Sequence, residues 1–216
     1  MFANKVDAGK QLANALTGFA NESDLIVLAI PRGGVEVGYE VAHSLKAPLD
    51  IIIPRKIGAP NQLELAIGAV GQDGSIVLNE RLIGQLGISG IYIKEESKRQ
   101  QMEIKRRLDV YRGEIPFPKL EGRKVIVVDD GVATGATLRA ALAFVRKQKV
   151  KELIIALPVG PRSTIQELEK EVDQVICLVA PELFFAIGQY YKDFSQTTDE
   201  EVVRLLESNR KEIEHK

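Results

Sequence analysis

Two adjacent carboxylates, Asp129 and Asp130, stand where an apolar stretch gives way to small residues and threonines. Residues 125–128, Val-Ile-Val-Val, are all β-branched and predict a short buried strand that ends at the pair. Neighbouring carboxylates repel each other, so this position costs stability unless a ligand uses them. Together they can accept hydrogen bonds from the vicinal hydroxyls of a sugar, as an acidic residue does for ribose in dinucleotide sites.

The residues that follow the acidic pair suit an anion. A loop of small residues and threonines leads into a helix-forming run, and it consists of Gly131, Val132, Ala133, Thr134, Gly135, Ala136 and Thr137. Backbone N–H groups in such a loop and at a helix N-terminus can surround a phosphate, and the threonine hydroxyls can donate to it. The strand, the carboxylates and the loop together predict a sugar-phosphate site. The alternative is an ordinary strand-to-helix turn, against which the acidic pair argues.

Segment 125–138, VIVVDDGVATGATL, resembles the phosphoribosyl-diphosphate (PRPP) signature of the type I phosphoribosyltransferases. In that family an apolar strand and two acidic residues precede a loop that ends in Thr-Gly-x-Thr, and every one of these positions is filled here. The resemblance implies transfer of 5-phosphoribose from PRPP to a nitrogen of a base, with release of diphosphate. It assigns Asp129 and Asp130 to the ribose diol as the catalytic residues, and residues 131–137 to the 5-phosphate.

Two other segments are similar to the diphosphate-binding parts of the family. Segment 30–34, Ile-Pro-Arg-Gly-Gly, closes an apolar run, and its glycines and arginine allow close backbone approach and several donors to phosphate. The next apolar run is followed by a pair of cations that resembles the start of the mobile loop in adenine-type members. The resemblance also implies a cis peptide between residues 31 and 32. The diphosphate site that it implies consists of Arg32, Gly33, Gly34, Arg55 and Lys56. A solvated turn is the alternative for each segment.

Segment 181–194 resembles the hood of purine phosphoribosyltransferases, in which an aromatic residue shortly before a glycine stacks on the base. Phe185 occupies that place, and Asp193 resembles the acidic residue that follows, one position farther on than in the family pattern. A small satellite core is the alternative for these aromatic residues. Two departures leave the base unnamed. Ala133 stands where 6-oxopurine enzymes have an aspartate, and residues 157–160, Leu-Pro-Val-Gly, offer no lysine to read a purine oxygen.

Apolar runs that alternate with helix-period segments predict an α/β protein with a parallel sheet flanked by helices. The resemblance specifies the type I phosphoribosyltransferase fold with a small C-terminal hood. The predicted strands are 25–30, 49–53, 76–78, 125–129, 153–157 and 174–179, and the predicted helices are 35–46, 91–112, 137–148, 163–171 and 199–213. We expect a single domain, 1–216, with its core at about 20–180, a charged helical insertion at about 90–113, the hood at about 180–198 and a C-terminal helix at about 199–213.

The charged helix predicted at 91–112 mixes basic and acidic residues at helical spacing. Such mixing is typical of a solvated face with weak ion pairs. Contact with nucleic acid and contact with another subunit are the alternatives.

Composition limits the class of protein. The chain has 216 residues and a formal net charge of −1, which gives no global attraction to nucleic acid or an acidic membrane. Its apolar runs are shorter than the ~20 residues of a membrane span, and its first residues form no apolar signal region. The single cysteine, Cys177, is predicted to be a buried packing residue, and the two histidines, His43 and His215, give no transition-metal cluster. We therefore expect a cytoplasmic protein.

The expected function is that of an enzyme, a Mg²⁺-dependent phosphoribosyltransferase whose Mg²⁺ is bound mainly through PRPP rather than through metal-binding residues of the chain. The expected partners are PRPP and a small-molecule base, without nucleic acid or membrane. We also expect a homo-oligomer, and specifically a dimer. Two alternatives stay open: a PRPP- or nucleotide-sensing regulator without transferase activity, and an unrelated nucleotide-binding α/β domain.

Overall fold

The computed structural model describes residues 1–214, except for the side chain of Glu64; His215 lies outside the described residues. The strands are β1 (Leu25–Ala29), β2 (Leu49–Ile51), β3 (Arg55–Ala59), β4 (Gln62–Val70), β5 (Ile76–Leu78), β6 (Lys124–Val128), β7 (Glu152–Val159) and β8 (Gln174–Val179). The helices are α1 (Lys5–Ala15), α2 (Gly33–Leu45), α3 (Glu80–Leu86), α4 (Gly90–Arg112), α5 (Ala136–Arg146), α6 (Arg162–Leu168) and α7 (Asp199–Glu214). Short 3-10 helices lie at Thr17–Phe19 and Ile187–Tyr190.

Five parallel strands form the central sheet, in the order β2-β1-β6-β7-β8. Helices cover both faces: α1, α2 and α7 pack on the face of Val27 and Ile126, and α5 and α6 pack on the face of Ile26 and Val127. Because both faces are covered, β1 is buried along its whole length and shows no polar alternation. The predicted parallel sheet with flanking helices is confirmed. Its strands end at one edge, where residues 30–34 and 129–137 follow β1 and β6.

A second, antiparallel sheet of order β3-β4-β5 corrects two predictions. The strand at 76–78 exists, but it pairs with β4 instead of joining the parallel sheet. The cation pair expected to begin a loop lies in β3, where Arg55 pairs with Val70 of β4. The reason is a tight turn at Pro60 and Asn61, in which Asn61 adopts a φ of 61° that asparagine tolerates. The hairpin also buries apolar side chains on one face.

The charged helix α4 has two different sides. It begins after Ser89, whose side chain accepts a hydrogen bond from the Tyr92 N–H, and it packs on β3, β4 and α7. Its outer side carries an ion pair at i,i+3 spacing between Glu103 and the exposed Arg106, as predicted for a solvated face. Its inner side, however, buries polar residues, among them Glu96, Gln100 and Arg112. The predicted solvated face therefore describes the outer side of α4, and the burial of these polar residues on the inner side was not predicted.

The N-terminal segment joins the hood, a relationship that the sequence did not predict. The Phe2 N–H donates to the Tyr190 carbonyl oxygen at 2.8 Å, and the Lys192 N–H donates to the Phe2 carbonyl oxygen at 2.9 Å. Helices α1 and α3 were also missed, although the asparagine before each accepts a hydrogen bond from its first turn.

Cys177 departs from its prediction as well. It lies in β8 at the edge of the central sheet and is half-buried rather than buried, because an edge strand is covered less completely. Burial still raises the pKa of its thiol to about 11, so the thiolate is scarce at neutral pH.

Candidate active site

The acidic pair lines a cavity at the carboxyl edge of the central sheet. Asp129 and Asp130 follow β6 directly, and the Asp130 N–H donates to Asp129 Oδ1 at 2.8 Å. The cavity has a volume of about 380 Å³, and it is lined by both carboxylates, all of residues 131–137, residues 30–33, Lys56 and Ile187. Two loops that are distant in sequence therefore share one cavity with the carboxylates. Ligands of open parallel sheets bind at this edge.

The position of the pair shifts its ionisation. Burial raises the pKa of Asp129 well above its ordinary value, and the charge of Asp130 raises it further. Burial also raises the pKa of Asp130 to about 6, although the positive charge of Lys5 opposes this shift. Two carboxylates with raised pKa values are stabilised by any ligand that donates hydrogen bonds to their ionised form. Sugar hydroxyls are such donors.

Lys5 is a buried cation beside the pair, and it was not predicted from the sequence. It lies in the first turn of α1 with only 4% of its surface exposed. Its Nζ atom is 3.5 Å from Glu36 Oε1, donates to the Ser195 carbonyl oxygen, and lies 4.9 Å from the centre of the Phe194 ring. Lys5 therefore connects the carboxylates to α2 and to the hood. An isolated lysine in an amphipathic helix carries no pattern by which it could have been found.

The loop 131–137 is fixed by hydrogen bonds to its carbonyl groups. Thr164 Oγ1 donates to the Ala133 carbonyl oxygen at 2.9 Å, and Arg139 Nη1 donates to the Thr134 carbonyl oxygen at 3.0 Å. Gly135, with a φ of 78°, turns the chain into α5 in a conformation that favours glycine. The loop thus lines the cavity at the N-terminus of α5, where the helix dipole favours an anion.

The loop 30–34 approaches the carboxylates very closely. The peptide bond between Pro31 and Arg32 is cis, as the family resemblance implied. A Cβ atom on Gly33 would collide with the Asp130 carboxylate and would lie 2.9 Å from Lys5 Cε. Within the part of the chain that the structure describes, Arg32 makes two long contacts, a 3.4 Å hydrogen bond to Gln196 and a 3.6 Å ion pair with Asp199. Its guanidinium is therefore held weakly and is available to a ligand.

The side chains of the two cations of β3, Arg55 and Lys56, contact different parts of the molecule. Lys56 lines the cavity of the acidic pair. Arg55 turns towards α4, where its Nε donates to Gln100 Oε1 at 2.8 Å. It lines an adjoining cavity of about 390 Å³, which Lys56 also lines.

The hood contributes residues other than the predicted one. Ile187 lines the cavity, and the Tyr191 hydroxyl donates to the Asp130 carbonyl oxygen at 2.5 Å. Phe185 is 81% exposed and does not line the cavity. Its stacking on a base stays a prediction. Asp193 accepts a hydrogen bond from the Ser195 N–H at 3.0 Å, which shapes the hood itself.

Comparison with known proteins identifies the family to which this cavity and its loops belong. The sequence model of the phosphoribosyl transferase domain family matches residues 4–195, which include both cavity loops and most of the hood. The chain belongs to the phosphoribosyl transferase family. Its sequence and fold are those of a type I phosphoribosyltransferase with the acceptor unassigned.

Relatives of this phosphoribosyltransferase agree with that placement. Two proteins of Mycobacterium tuberculosis, from the strains CDC 1551 / Oshkosh and H37Rv, are 41% identical to this chain over 207 residues, which is 96% of it. The names of both proteins suggest a phosphoribosyl transferase. The chain spans about half of their length, 46%. The crystal structure of TT1426 from Thermus thermophilus is 38% identical, with a TM-score of 0.80 over 95% of this chain and 97% of that one.

The phosphoribosyltransferase offers few ligands of its own to a metal. Among residues 1–214, no group of three or more His, Cys, Asp or Glu side chains is placed to hold an ion. Of the side chains that the structure describes, Asp129 and Asp130 are the carboxylates that line the cavity, which fits a Mg²⁺ ion that takes most of its ligands from a substrate and from water. In the same part of the chain, no helix is both long enough and apolar enough to cross a membrane.

Proposed function

We propose that this phosphoribosyltransferase transfers 5-phosphoribose from PRPP to a nitrogen of a nucleobase-like acceptor and releases diphosphate. The observation that carries the proposal is the shared cavity. Asp129 and Asp130 meet the loops 131–137 and 30–33 and Lys56 in one space of about 380 Å³. A sugar that carries a phosphate at one end and a diphosphate at the other matches these three kinds of groups.

Each part of the substrate has a proposed partner. Asp129 and Asp130 accept hydrogen bonds from the ribose hydroxyls, and residues 131–137 bind the 5-phosphate through their N–H groups and threonine hydroxyls. Arg32, the Gly33 and Gly34 amides, and the cations of β3 bind the diphosphate. Arg55 would reach it from the adjoining cavity, whereas Lys56 lines the same cavity as the acidic pair.

The proposed chemistry depends on position and charge. When diphosphate leaves, the sugar gains cationic character, as in glycoside hydrolysis. The protein accelerates this step by holding the acceptor nitrogen in line and by stabilising negative charge on the leaving group. A Mg²⁺ ion bound mainly through PRPP would neutralise part of the diphosphate charge. Among the described residues, Asp129 and Asp130 bring the carboxylates to the cavity, so we propose that Mg²⁺ would be held mainly through oxygens of PRPP.

The acceptor is proposed only as a class. A uracil phosphoribosyltransferase of Bifidobacterium longum is 26% identical over 64% of this chain, which makes uracil a candidate to include in a screen. Ile187 lines the cavity on the hood side, where a flat base would lie. We propose that Phe185 stacks on that base, which requires the base to extend from the cavity to its exposed ring.

The proposal extends to the whole protein in three respects. We propose that residues 1–216 act as a single domain, that the protein is a homo-oligomer, and that it works in the cytoplasm. Because the chain spans about half of the length of its curated relatives, the activity of those longer proteins is a separate question.

A diphosphate-release screen tests the function. PRPP and Mg²⁺ are incubated with the protein and with individual purines, pyrimidines and related bases, and Asp129→Asn/Asp130→Asn serves as the inactive control. We expect release that depends on one class of base and is absent from the control. PRPP binding without release for any base would favour the PRPP-sensing regulator. Failure to bind PRPP would overturn both functions.

A further inference from the structure

Two side chains outside the cavity hold the loop 131–137 by its carbonyl oxygens. Thr164 of α6 donates through Oγ1 to the Ala133 carbonyl oxygen at 2.9 Å, and Arg139 of α5 donates through Nη1 to the Thr134 carbonyl oxygen at 3.0 Å. Both side chains lie outside the cavity lining, whereas the loop itself forms part of that lining. The two carbonyl groups therefore point away from the cavity.

The direction of these carbonyl groups determines the direction of two backbone donors. The C=O and N–H groups of a trans peptide unit point to opposite sides. The peptide bonds from Ala133 to Thr134 and from Thr134 to Gly135 are both trans, so the N–H groups of Thr134 and Gly135 point into the cavity. Within the described part of the chain neither N–H donates to an acceptor, and both are therefore left for an anion.

The peptide unit between Thr134 and Gly135 needs such a restraint. Gly135 has a φ of 78°, and glycine adopts positive and negative φ about equally readily. This unit can therefore rotate at little cost, by a change in ψ of Thr134 and in φ of Gly135. The rotated unit would present a carbonyl oxygen to the cavity in place of an N–H donor, and the partial negative charge of that oxygen would repel a phosphate.

The guanidinium of Arg139 is itself held in one orientation. Its Nε donates to Glu171 Oε1 and its Nη2 donates to Glu167 Oε2, each at 2.7 Å. Because a guanidinium is planar and its donors have fixed directions, the two carboxylates determine where Nη1 points. They also neutralise the positive charge of Arg139. Its effect on an anion in the cavity therefore comes from the orientation of the loop rather than from charge attraction.

We propose that Arg139 and Thr164 are positioning residues, which act through the loop 131–137 and keep two of its N–H groups directed at the 5-phosphate. The inference rests on the proposed function only in taking the ligand of this loop to be the 5-phosphate of PRPP. It gives a role to two side chains that lie beyond the signature segment 125–138. The alternative is that both side chains only stabilise the packing of α5 against α6.

Two matched comparisons distinguish these roles. Thr164, which is 8% exposed, provides the first: Thr164→Val removes the hydroxyl and keeps a similar shape, whereas Thr164→Ser keeps the hydroxyl. In the second, Arg139→Met removes the guanidinium donors, and Arg146→Met removes an exposed arginine from the last turn of the same helix. Circular dichroism and denaturant unfolding establish that each variant is folded.

The experiment is a calorimetric titration of each variant with PRPP, with ribose 5-phosphate and with inorganic diphosphate, all in the presence of Mg²⁺. The first two ligands carry the 5-phosphate, and diphosphate does not. We expect Arg139→Met to lower the affinity for PRPP and ribose 5-phosphate about tenfold, and Thr164→Val about fivefold, with unchanged affinity for diphosphate in both. Thr164→Ser and Arg146→Met should bind all three ligands within about twofold of the wild type.

Three results would overturn the positioning role. They are equal losses for ribose 5-phosphate and diphosphate, unchanged affinity for ribose 5-phosphate in both Arg139→Met and Thr164→Val, and a loss in Thr164→Ser as large as in Thr164→Val. If Arg139→Met does not fold, the two Thr164 variants decide by themselves. If the wild type binds neither PRPP nor ribose 5-phosphate, the proposed function fails. If the wild type binds both and the variants bind equally well, only the positioning role fails.

Discussion

The Tyr191 hydroxyl donates a 2.5 Å hydrogen bond to the backbone carbonyl oxygen of Asp130. Tyr191 is 5% exposed, and its ring packs against Phe2 at 5.3 Å and Phe194 at 4.9 Å between centres. The hood and the N-terminal segment therefore hold the backbone that carries the acidic pair. Proton loss from this buried phenol is disfavoured, because burial and the nearby Asp130 charge raise its pKa.

Replacing Tyr191 with phenylalanine should affect both stability and substrate binding. The change leaves the Asp130 carbonyl oxygen without its donor, which we expect to lower the free energy of unfolding by about 1–2 kcal/mol and PRPP affinity severalfold. Denaturant unfolding and PRPP titration measure the two effects. Tyr190→Phe is the control, because that hydroxyl makes a longer, exposed hydrogen bond of 3.3 Å to Leu183. Equal effects of the two changes would contradict a special role for Tyr191.

Lys5 should contribute both to the stability of the fold and to the pH dependence of PRPP binding. Lys5→Met removes a buried cation from Glu36 and from the neighbourhood of Asp130, and we expect a loss of stability of about 2–3 kcal/mol. Because the Lys5 charge lowers the pKa of Asp130, its loss should move the pH dependence of PRPP binding to higher pH. Lys10→Met, an exposed lysine of the same helix, is the control. An unchanged pH profile in Lys5→Met would refute this electrostatic role of Lys5.

The stability of the free protein should fall as Asp130 ionises. Because burial raises its pKa from 3.8 to about 6, its stabilising contribution is present below about pH 4 and is lost as the pH rises through about 6. Asp130→Asn should therefore raise the free energy of unfolding by about 3 kcal/mol at about pH 8 and change it little at about pH 4. Urea titrations at both pH values measure this, with the exposed Asp109→Asn as control. A gain of the same size at both values would contradict it.

Gly33 should tolerate no side chain. A Cβ atom there would meet the Asp130 carboxylate and Lys5, so Gly33→Ala should displace the loop 30–34 and weaken PRPP binding by about tenfold or more. Gly84→Ala is the control, because a Cβ atom at that position in α3 has no neighbour within 4 Å. It should leave PRPP binding unchanged and stabilise the protein slightly, since alanine favours helix more than glycine does. PRPP titration of both variants decides the matter.

Local patterns explain what the sequence predicted well. The individual strands of the parallel sheet, the acidic pair and the loop 131–137 each show in a short stretch of sequence, as apolar runs, small residues and helix-forming segments. Long-range contacts explain what was missed. Lys5 reaches Ser195 across 190 positions, and Tyr191 reaches Asp130 across 61. No periodicity records such contacts.

The antiparallel sheet shows a second reason why sequence-based prediction failed. The sequence of β3 reads Arg-Lys-Ile-Gly-Ala, in which two cations and a glycine obscure the strand. Pairing with β4 outweighs that composition, because the hairpin buries Ile57 and Ile67 completely. The tertiary contact thus determined the secondary structure of residues 55–59, whose local sequence favours a loop.

PRPP titration of the wild type and of Asp129→Asn/Asp130→Asn tests the central claim most directly. We predict that the wild type binds PRPP and that the folded double variant loses roughly ten- to a hundredfold in affinity for each lost hydrogen bond. Asp193→Asn, which alters a hood carboxylate outside the cavity lining, should bind as the wild type does. Unchanged PRPP affinity in a double variant with native circular dichroism would contradict the assignment of the acidic pair to the ribose.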